Sequence, residues 1–335
     1  MVSSPTGPPS NFSITARSNL RSISSRPTAS ISRRASPSTA VFSPIVPSPT
    51  TWAKSRNRRS RRFATRGVPR DRAAICRVPL VLHEQNSVPG LANRILSRWA
   101  HAVGTTYEGS AVHLAEPGRA VLTGNPVRAS VLEADRDRGR TMFGVDPTET
   151  LLLVFGGSRG ARHINEAMVS LVPQLVAVPS LRVVHVAGRI EAADVNARIA
   201  AATGGQEDRY HVVDYIDAMG DALAAADVVV ARAGATSIAE ITAVGRAAVL
   251  VPYPYATDDH QTLNARTLAE AGAADLVADA DLDGPALGEA VLRLIAEPER
   301  VARMARASAA LAARDATERL VRLVGEAARN GKEMR

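Results

Sequence analysis

From residue 151 onward, short apolar runs alternate with stretches of helical periodicity. The strand-like runs are Leu151–Phe155, Val183–Ala187, His211–Val213, Val228–Ala231, Ala248–Pro252 and Ala274–Val277. Helical patterns fill the gaps at 162–175, 191–202, 217–226, 236–245 and 260–272. Apolar runs with no polar alternation are strands buried on both faces, and strands separated by helices must run parallel. The expected fold class is therefore α/β, with a helix-covered parallel sheet. In such a sheet, ligands sit beyond the carboxyl ends of the strands. Residues just after each strand carry the functional information.

Three of those strand ends offer a consistent chemistry. After 151–155 comes a glycine-rich turn, Gly156-Gly157-Ser158-Arg159-Gly160, leading into a helix. Such a turn aims backbone N–H groups at an anion, phosphate above all, although a tight turn alone also uses glycine. After 228–231 comes Ala233-Gly234, with Thr236 read as a helix cap and Glu240 one turn further in. After 248–252 comes a polar segment with Gln261 at the start of the next helix. N–H groups suit a pyrophosphate, a carboxylate suits a ribose diol, and Ser158 and Gln261 suit sugar hydroxyls. Each residue also has a plainer reading: Glu240 as a helix-surface acid, Gln261 as a polar helix start, Asp258 and Asp259 as helix-dipole partners.

The formal net charge of +8 invites a nucleic-acid reading, but its distribution argues against one. Residues 1–70 hold Lys54 and twelve arginines with no acid, so the remainder carries a net −5. That Ser-, Pro- and Arg-rich segment has little apolar periodicity and reads as disordered. A transit peptide, an RNA-binding arm or a mis-started or out-of-frame segment are its other readings. No nucleic-acid partner is expected. Cys76, the one cysteine, rules out an intramolecular disulfide, and no run of 18 apolar residues marks a transmembrane helix. His83, His185 and His260 lack metal-ligand spacing, and no metal or other cofactor is called for. Asp135-x-Asp137 and Asp279-x-Asp281 match an acidic pair that metal-dependent transferases use, but both lie in charged loop or helix-edge stretches, where solvation explains them more cheaply.

Upstream of 151, "VPLVLHEQN" (78–86) reads as a strand, followed by a helix over Leu91–Trp99. Residues 100–108 and 119–128 read as strands, and Ser130–Arg138 as one short helix.

Five segments in order, "HEQNSVPGLANR" (83–94), "TGNPVR" (123–128), "FGGSRGA" (155–161), "RAGATSIAEI" (232–241) and "PYPYATDDHQTLNA" (252–265), resemble the peptidoglycan glycosyltransferases of the MurG family. The resemblance covers about 78–330 and implies a GT-B fold of two Rossmann-like domains. It implies a UDP-N-acetylglucosamine donor and an undecaprenyl-pyrophosphoryl muramoyl-pentapeptide acceptor at the cytoplasmic face of the inner membrane. The sugar would pass with inversion to the acceptor's C4 hydroxyl. Mapped by motif, Asn86 and Arg128 face the cleft from the acceptor side, Ser158 meets the donor's phosphate or sugar, and Ile216 meets uracil. Ala235, Thr236, Ser237, Ile238, Ala239 and Glu240 hold pyrophosphate and ribose, and Gln261 holds the sugar. The resemblance implies three parts: an atypical segment over 1–77, a remnant of the acceptor domain over 78–142, and a donor domain over 143–335. Members open with a glycine-rich GGTGGH-type loop that residues 1–77 lack, so the N-terminal domain is expected to be incomplete and no catalytic base is assigned. The same lack implies weak transfer by this chain alone. A silent donor-binding module and a UDP-sugar epimerase are the competing readings; the HEQN and GNPVR segments weigh against the second.

Overall fold

The computed structural model describes residues 78–157, 162–204, 207–283 and 285–333, which share one compact unit. The sequence features assigned to 1–77, and Ser158 with the rest of the glycine-rich turn to Ala161, lie outside the described residues.

The first part of the chain builds a parallel three-stranded sheet in the order β1-β2-β3, from Val81–Glu84, Ala102–Thr105 and Ala120–Leu122. Helix α1 (Leu91–Leu96) joins the first two strands. The register sets Glu84 beside Thr105, and Thr105 beside Leu122, so the segments following β1 and β3 leave the same end of the sheet. These strands are shorter than the sequence suggests. β3 stops before Gly124, which takes a positive φ of 80°, and Pro126 has no N–H to extend a ladder. The single helix expected over Ser130–Arg138 is two, α2 (Ala129–Leu132) and α3 (Arg136–Phe143). Asp135 breaks them by capping the second: its carboxylate accepts from the Arg138 N–H at 2.7 Å.

The second part is a parallel six-stranded sheet. Its strands are β4 (Thr150–Phe155), β5 (Leu181–Val186), β6 (Tyr210–Val213), β7 (Val228–Ala231), β8 (Ala247–Leu250) and β9 (Ala274–Leu276). The helices between them are α4 (Arg162–Val176), α5 (Ala192–Thr203), α6 (Met219–Ala225), α7 (Ala235–Val244) and α8 (His260–Glu270). Three more follow: α9 (Ala286–Ala296), α10 (Pro298–Ala310) and α11 (Ala316–Glu333). The strand order is β6-β5-β4-β7-β8-β9. This is the doubly wound order, which reverses direction between β4 and β7 and opens a crevice there.

Alternation along β4 shows why both faces are covered. Leu152 and Val154 join Ile164, Met168 and Leu175 of α4 and Leu287 and Val291 of α9 in one core. Leu151, Leu153 and Phe155 join Leu223 of α6, Ile238 and Ile241 of α7 and Leu268 of α8 in the other. Every residue from Leu151 to Phe155 is buried, so an unbroken apolar run is what this position requires. α11 then returns to the first sheet, where Leu323 and Ala327 pack on Val81 and Ala102.

Candidate functional site

The strand register fixes the site. Phe155 pairs with Ala231, and Ala231 with Leu250, so the segments after β4, β7 and β8 emerge at one level along the crevice. Helix α7 starts there at Gly234, its N-cap, with no side chain among the described residues bonded to its first-turn N–H groups and no acid in its first turn. Thr236 is therefore not the cap; it lies exposed inside the first turn. The N–H groups of Ala235, Thr236 and Ser237 meet no side-chain acceptor among the described residues at the positive end of a ten-residue helix, a setting that favours a diphosphate. Ile238 is buried in the sheet core and anchors the helix, while Ala239 packs toward Val131.

Glu240 is buried, yet it is not a plain helix-surface acid. Its Oε1 accepts from Arg128 Nε at 3.0 Å, and Nη2 of the same guanidinium lies 2.9 Å from that oxygen. Arg128 caps α2 and keeps its side chain more than half exposed, so the pair joins the chain after β3 to α7. No donor among the described residues reaches Oε2. The sequence singled out both residues; their meeting across 112 positions is new.

A second junction joins the chain after β1 to α8. Asn264, fully buried, accepts at Oδ1 from the Ser87 N–H and hydroxyl, both at 2.9 Å, and donates from Nδ2 to Asn86 Oδ1 at 3.1 Å. Gln261 sits one turn earlier on α8, where its Oε1 accepts from the Tyr253 N–H at 3.0 Å, leaving its amide nitrogen to donate. Asp258 and Asp259 both take positive φ, 51° and 52°, in the turn that aims α8. Asp259 accepts from the Thr262 hydroxyl at 2.6 Å, which fits a role at the helix start.

Glu84 spends both carboxylate oxygens on its own loop, accepting from the Asn86 and Gly90 N–H groups at 3.0 Å and from Asn93 Nδ2 at 2.9 Å. That carboxylate shapes the loop. His83 Nε2 lies 3.0 Å from the Gly124 carbonyl, which can only accept, so the neutral ring carries its proton on Nε2 and a lone pair on Nδ1. Burial pushes the imidazole below its ordinary range, against the Gly124 bond and the nearby Glu84 charge. Ile216 is buried among Phe155, Leu223 and Ile238, so its side chain belongs to the core and only its backbone can face a base.

The match to "Glycosyltransferase family 28 C-terminal domain" spans residues 151–320, and the match to "Glycosyltransferase family 28 N-terminal domain" spans 71–105. A curated relative from Desulfitobacterium hafniense (strain Y51) is 38% identical over 250 residues, covering 74% of this chain and 68% of its own. It is named "UDP-N-acetylglucosamine--N-acetylmuramyl-(pentapeptide) pyrophosphoryl-undecaprenol N-acetylglucosamine transferase". The chain belongs to this MurG family. The crystal structure of Acinetobacter baumannii MurG superposes with a TM-score of 0.61 at 29% identity, covering 76% of this chain and 69% of that one. The Neisseria meningitidis UDP-GlcNAc 2-epimerase bound to UDP-GlcNAc shares the fold alone, with a TM-score of 0.55 at 14% identity over 76% and 71% of the two chains. The two parallel sheets of this MurG-family chain are thus the two halves of a GT-B glycosyltransferase.

Sequence reasoning missed Asn264, Arg232, Asp279 and His163. Asp279 was grouped with solvated acids, whereas its side chain is only 13% exposed and pairs with Arg232 and His163. Its position three residues beyond β9 was the available signal. Asp137 and Asp281 lie exposed, and Asp135 caps α3.

Proposed function

We propose that this chain moves N-acetylglucosamine from UDP-N-acetylglucosamine to the muramoyl-pentapeptide pyrophosphoryl-undecaprenol lipid of peptidoglycan synthesis. The observation that carries the reading is the Arg128–Glu240 pair at the head of the crevice, beside the uncapped N-terminus of α7. Residues 143–335 hold the donor and 78–142 contribute to the acceptor side. The diphosphate lies against the N–H groups of Ala235, Thr236 and Ser237, the ribose diol meets Glu240, uracil meets the backbone of Ile216, and the sugar meets Gln261. Ser158 meets the donor's phosphate or sugar. Asn86 and Arg128 face the donor from the other sheet. As the acceptor's C4 hydroxyl attacks the anomeric carbon, charge builds on the departing UDP. Fixed N–H dipoles at a helix end stabilise that charge without reorganising. Calorimetric titration of the chain with UDP-N-acetylglucosamine tests the donor half: one site per chain is expected. Absence of binding heat, with no protection from thermal unfolding, overturns it.

We further propose that the chain works at the cytoplasmic face of the membrane, where its lipid acceptor is held. No helix among the described residues is long and apolar enough to cross a bilayer. Helix α1, however, buries none of its residues and presents Leu91 and Ile95, 64% and 50% exposed, one turn apart. Arg94 and Arg98 flank them in sequence. An apolar stripe edged by cations is the composition that enters a headgroup layer, and each cation contributes about 1 kcal/mol near an anionic surface. The chain should co-sediment with phosphatidylglycerol vesicles, and Leu91→Ala with Ile95→Ala should weaken this several-fold. Equal recovery of wild type and double variant would remove α1 from the contact.

A further inference from the structure

Four segments leave the carboxyl end of the six-stranded sheet at the donor crevice, and one carboxylate ties them together. Asp279 opens a single helical turn after β9 and is largely buried. Its Oδ2 faces His163 Nδ1 at 2.8 Å, and its Oδ1 accepts from Arg232 Nη1. His163 is the second residue of α4, directly beyond the glycine-rich turn. Arg232 directly precedes Ala233-Gly234 and the start of α7. The same Nη1 donates to the carbonyls of Val251 at 3.3 Å and Pro252 at 3.1 Å, beyond β8, and the guanidinium lies 5.6 Å from the Tyr253 ring centre. The Tyr253 N–H in turn holds Gln261.

We infer that Asp279, acting through Arg232 and His163, is a positioning residue for nucleotide-sugar binding, setting the spacing of the α4 start, the α7 N-terminus and the Gln261 loop. The inference rests on the donor assignment above. Both His163 nitrogens face carboxylates, the second being Asp283 Oδ1 at 3.0 Å, so the ring bonds both only as an imidazolium. Those two hydrogen bonds raise its pKa, in keeping with that geometry. For Asp279, burial favours the neutral acid, but the His163 and Arg232 bonds prevail and hold the carboxyl below its usual range. A charged, doubly paired carboxylate fixes direction as well as distance. Ligand sites that need several loops in one geometry lose affinity when their spacing relaxes.

The test compares Asp279→Asn with Glu149→Gln in the full chain. Glu149 pairs with Arg182 at 2.8 Å in a similarly shielded setting, but at the opposite end of the sheet, where β4 and β5 begin. Asp279→Asn should weaken UDP-N-acetylglucosamine binding about tenfold or more and raise KM while leaving kcat within about threefold. Glu149→Gln should lower thermal stability comparably and leave donor affinity unchanged. His163→Gln keeps the Arg232–Asp279 pair, and should weaken donor binding several-fold even if Asp279→Asn does not fold. Donor affinity within twofold of wild type in a folded Asp279→Asn or His163→Gln chain overturns the inference, as does equal loss of affinity in Glu149→Gln. A wild-type chain that binds no UDP-N-acetylglucosamine overturns the donor assignment itself.

Discussion

Glu240→Ala is expected to weaken UDP binding about ten- to a hundredfold, and transfer with it. A carboxylate accepting hydroxyl donors makes charge-assisted hydrogen bonds, whose loss costs roughly 1.5–3 kcal/mol. Glu240 is suited to this because one oxygen is fixed by Arg128 while no donor among the described residues reaches the other. The arginine fixes where the carboxylate points, so Arg128→Ala should itself weaken UDP. The double variant should lose less than the sum of the two, because residues in contact do not contribute independently. Calorimetry on the four chains of this cycle measures the coupling. Unchanged UDP affinity in Glu240→Ala would remove the residue from the site.

Stability should fall by about 3 kcal/mol as the pH drops from 7 to 4, through one buried histidine. His185 lies inside the sheet core, fully buried, and desolvation pushes its pKa down to about 4. Its Nδ1 accepts from the Tyr210 hydroxyl at 3.0 Å, its Nε2 donates to Asn165 Oδ1 at 2.9 Å, and Asn165 Nδ2 donates to Glu191 at 2.7 Å. The folded ring is therefore neutral, with both nitrogens used. An unfolded chain takes up a proton below about pH 6.5, and the folded chain resists until about pH 4, so the unfolded state gains across that window. Glutamine can copy both hydrogen bonds without titrating. Denaturant unfolding of wild type and His185→Gln at pH 7 and 4.5 should converge at the lower pH; parallel losses would show that acid lability lies elsewhere. His163, raised rather than lowered, works in the opposite sense and is common to both chains.

The strands of the six-stranded sheet were legible because a parallel sheet buried on both faces demands unbroken apolar runs, and Leu151–Phe155 is one. The candidate site was legible on the same basis, as polar and small residues just beyond the carboxyl ends of those runs. What stayed hidden was pairing at long range. Periodicity places Arg128 before a helix and Glu240 inside another, but nothing local joins them. Asn264 falls on the buried side of α8 and looks like any polar helix residue until Asn86 and Ser87 are brought against it. Asp279 was misread because an acid two positions from another acid resembles a solvated turn. Arg232 and His163, far away in sequence, are what shield it. The helix expected over Ser130–Arg138 is broken because the Asp135 carboxylate caps a new helix, a bond that periodicity does not reveal.

Sugar transfer is tested most directly by mixing the purified chain with UDP-N-acetylglucosamine, radiolabelled in the sugar, and the muramoyl-pentapeptide pyrophosphoryl-undecaprenol lipid in detergent. Label should enter the lipid above the no-enzyme background, with one UDP released per sugar moved, and both should fall about tenfold or more in Glu240→Ala. Label that never leaves the nucleotide, or that reappears without acceptor as the C2 epimer of the donor, would contradict the assignment.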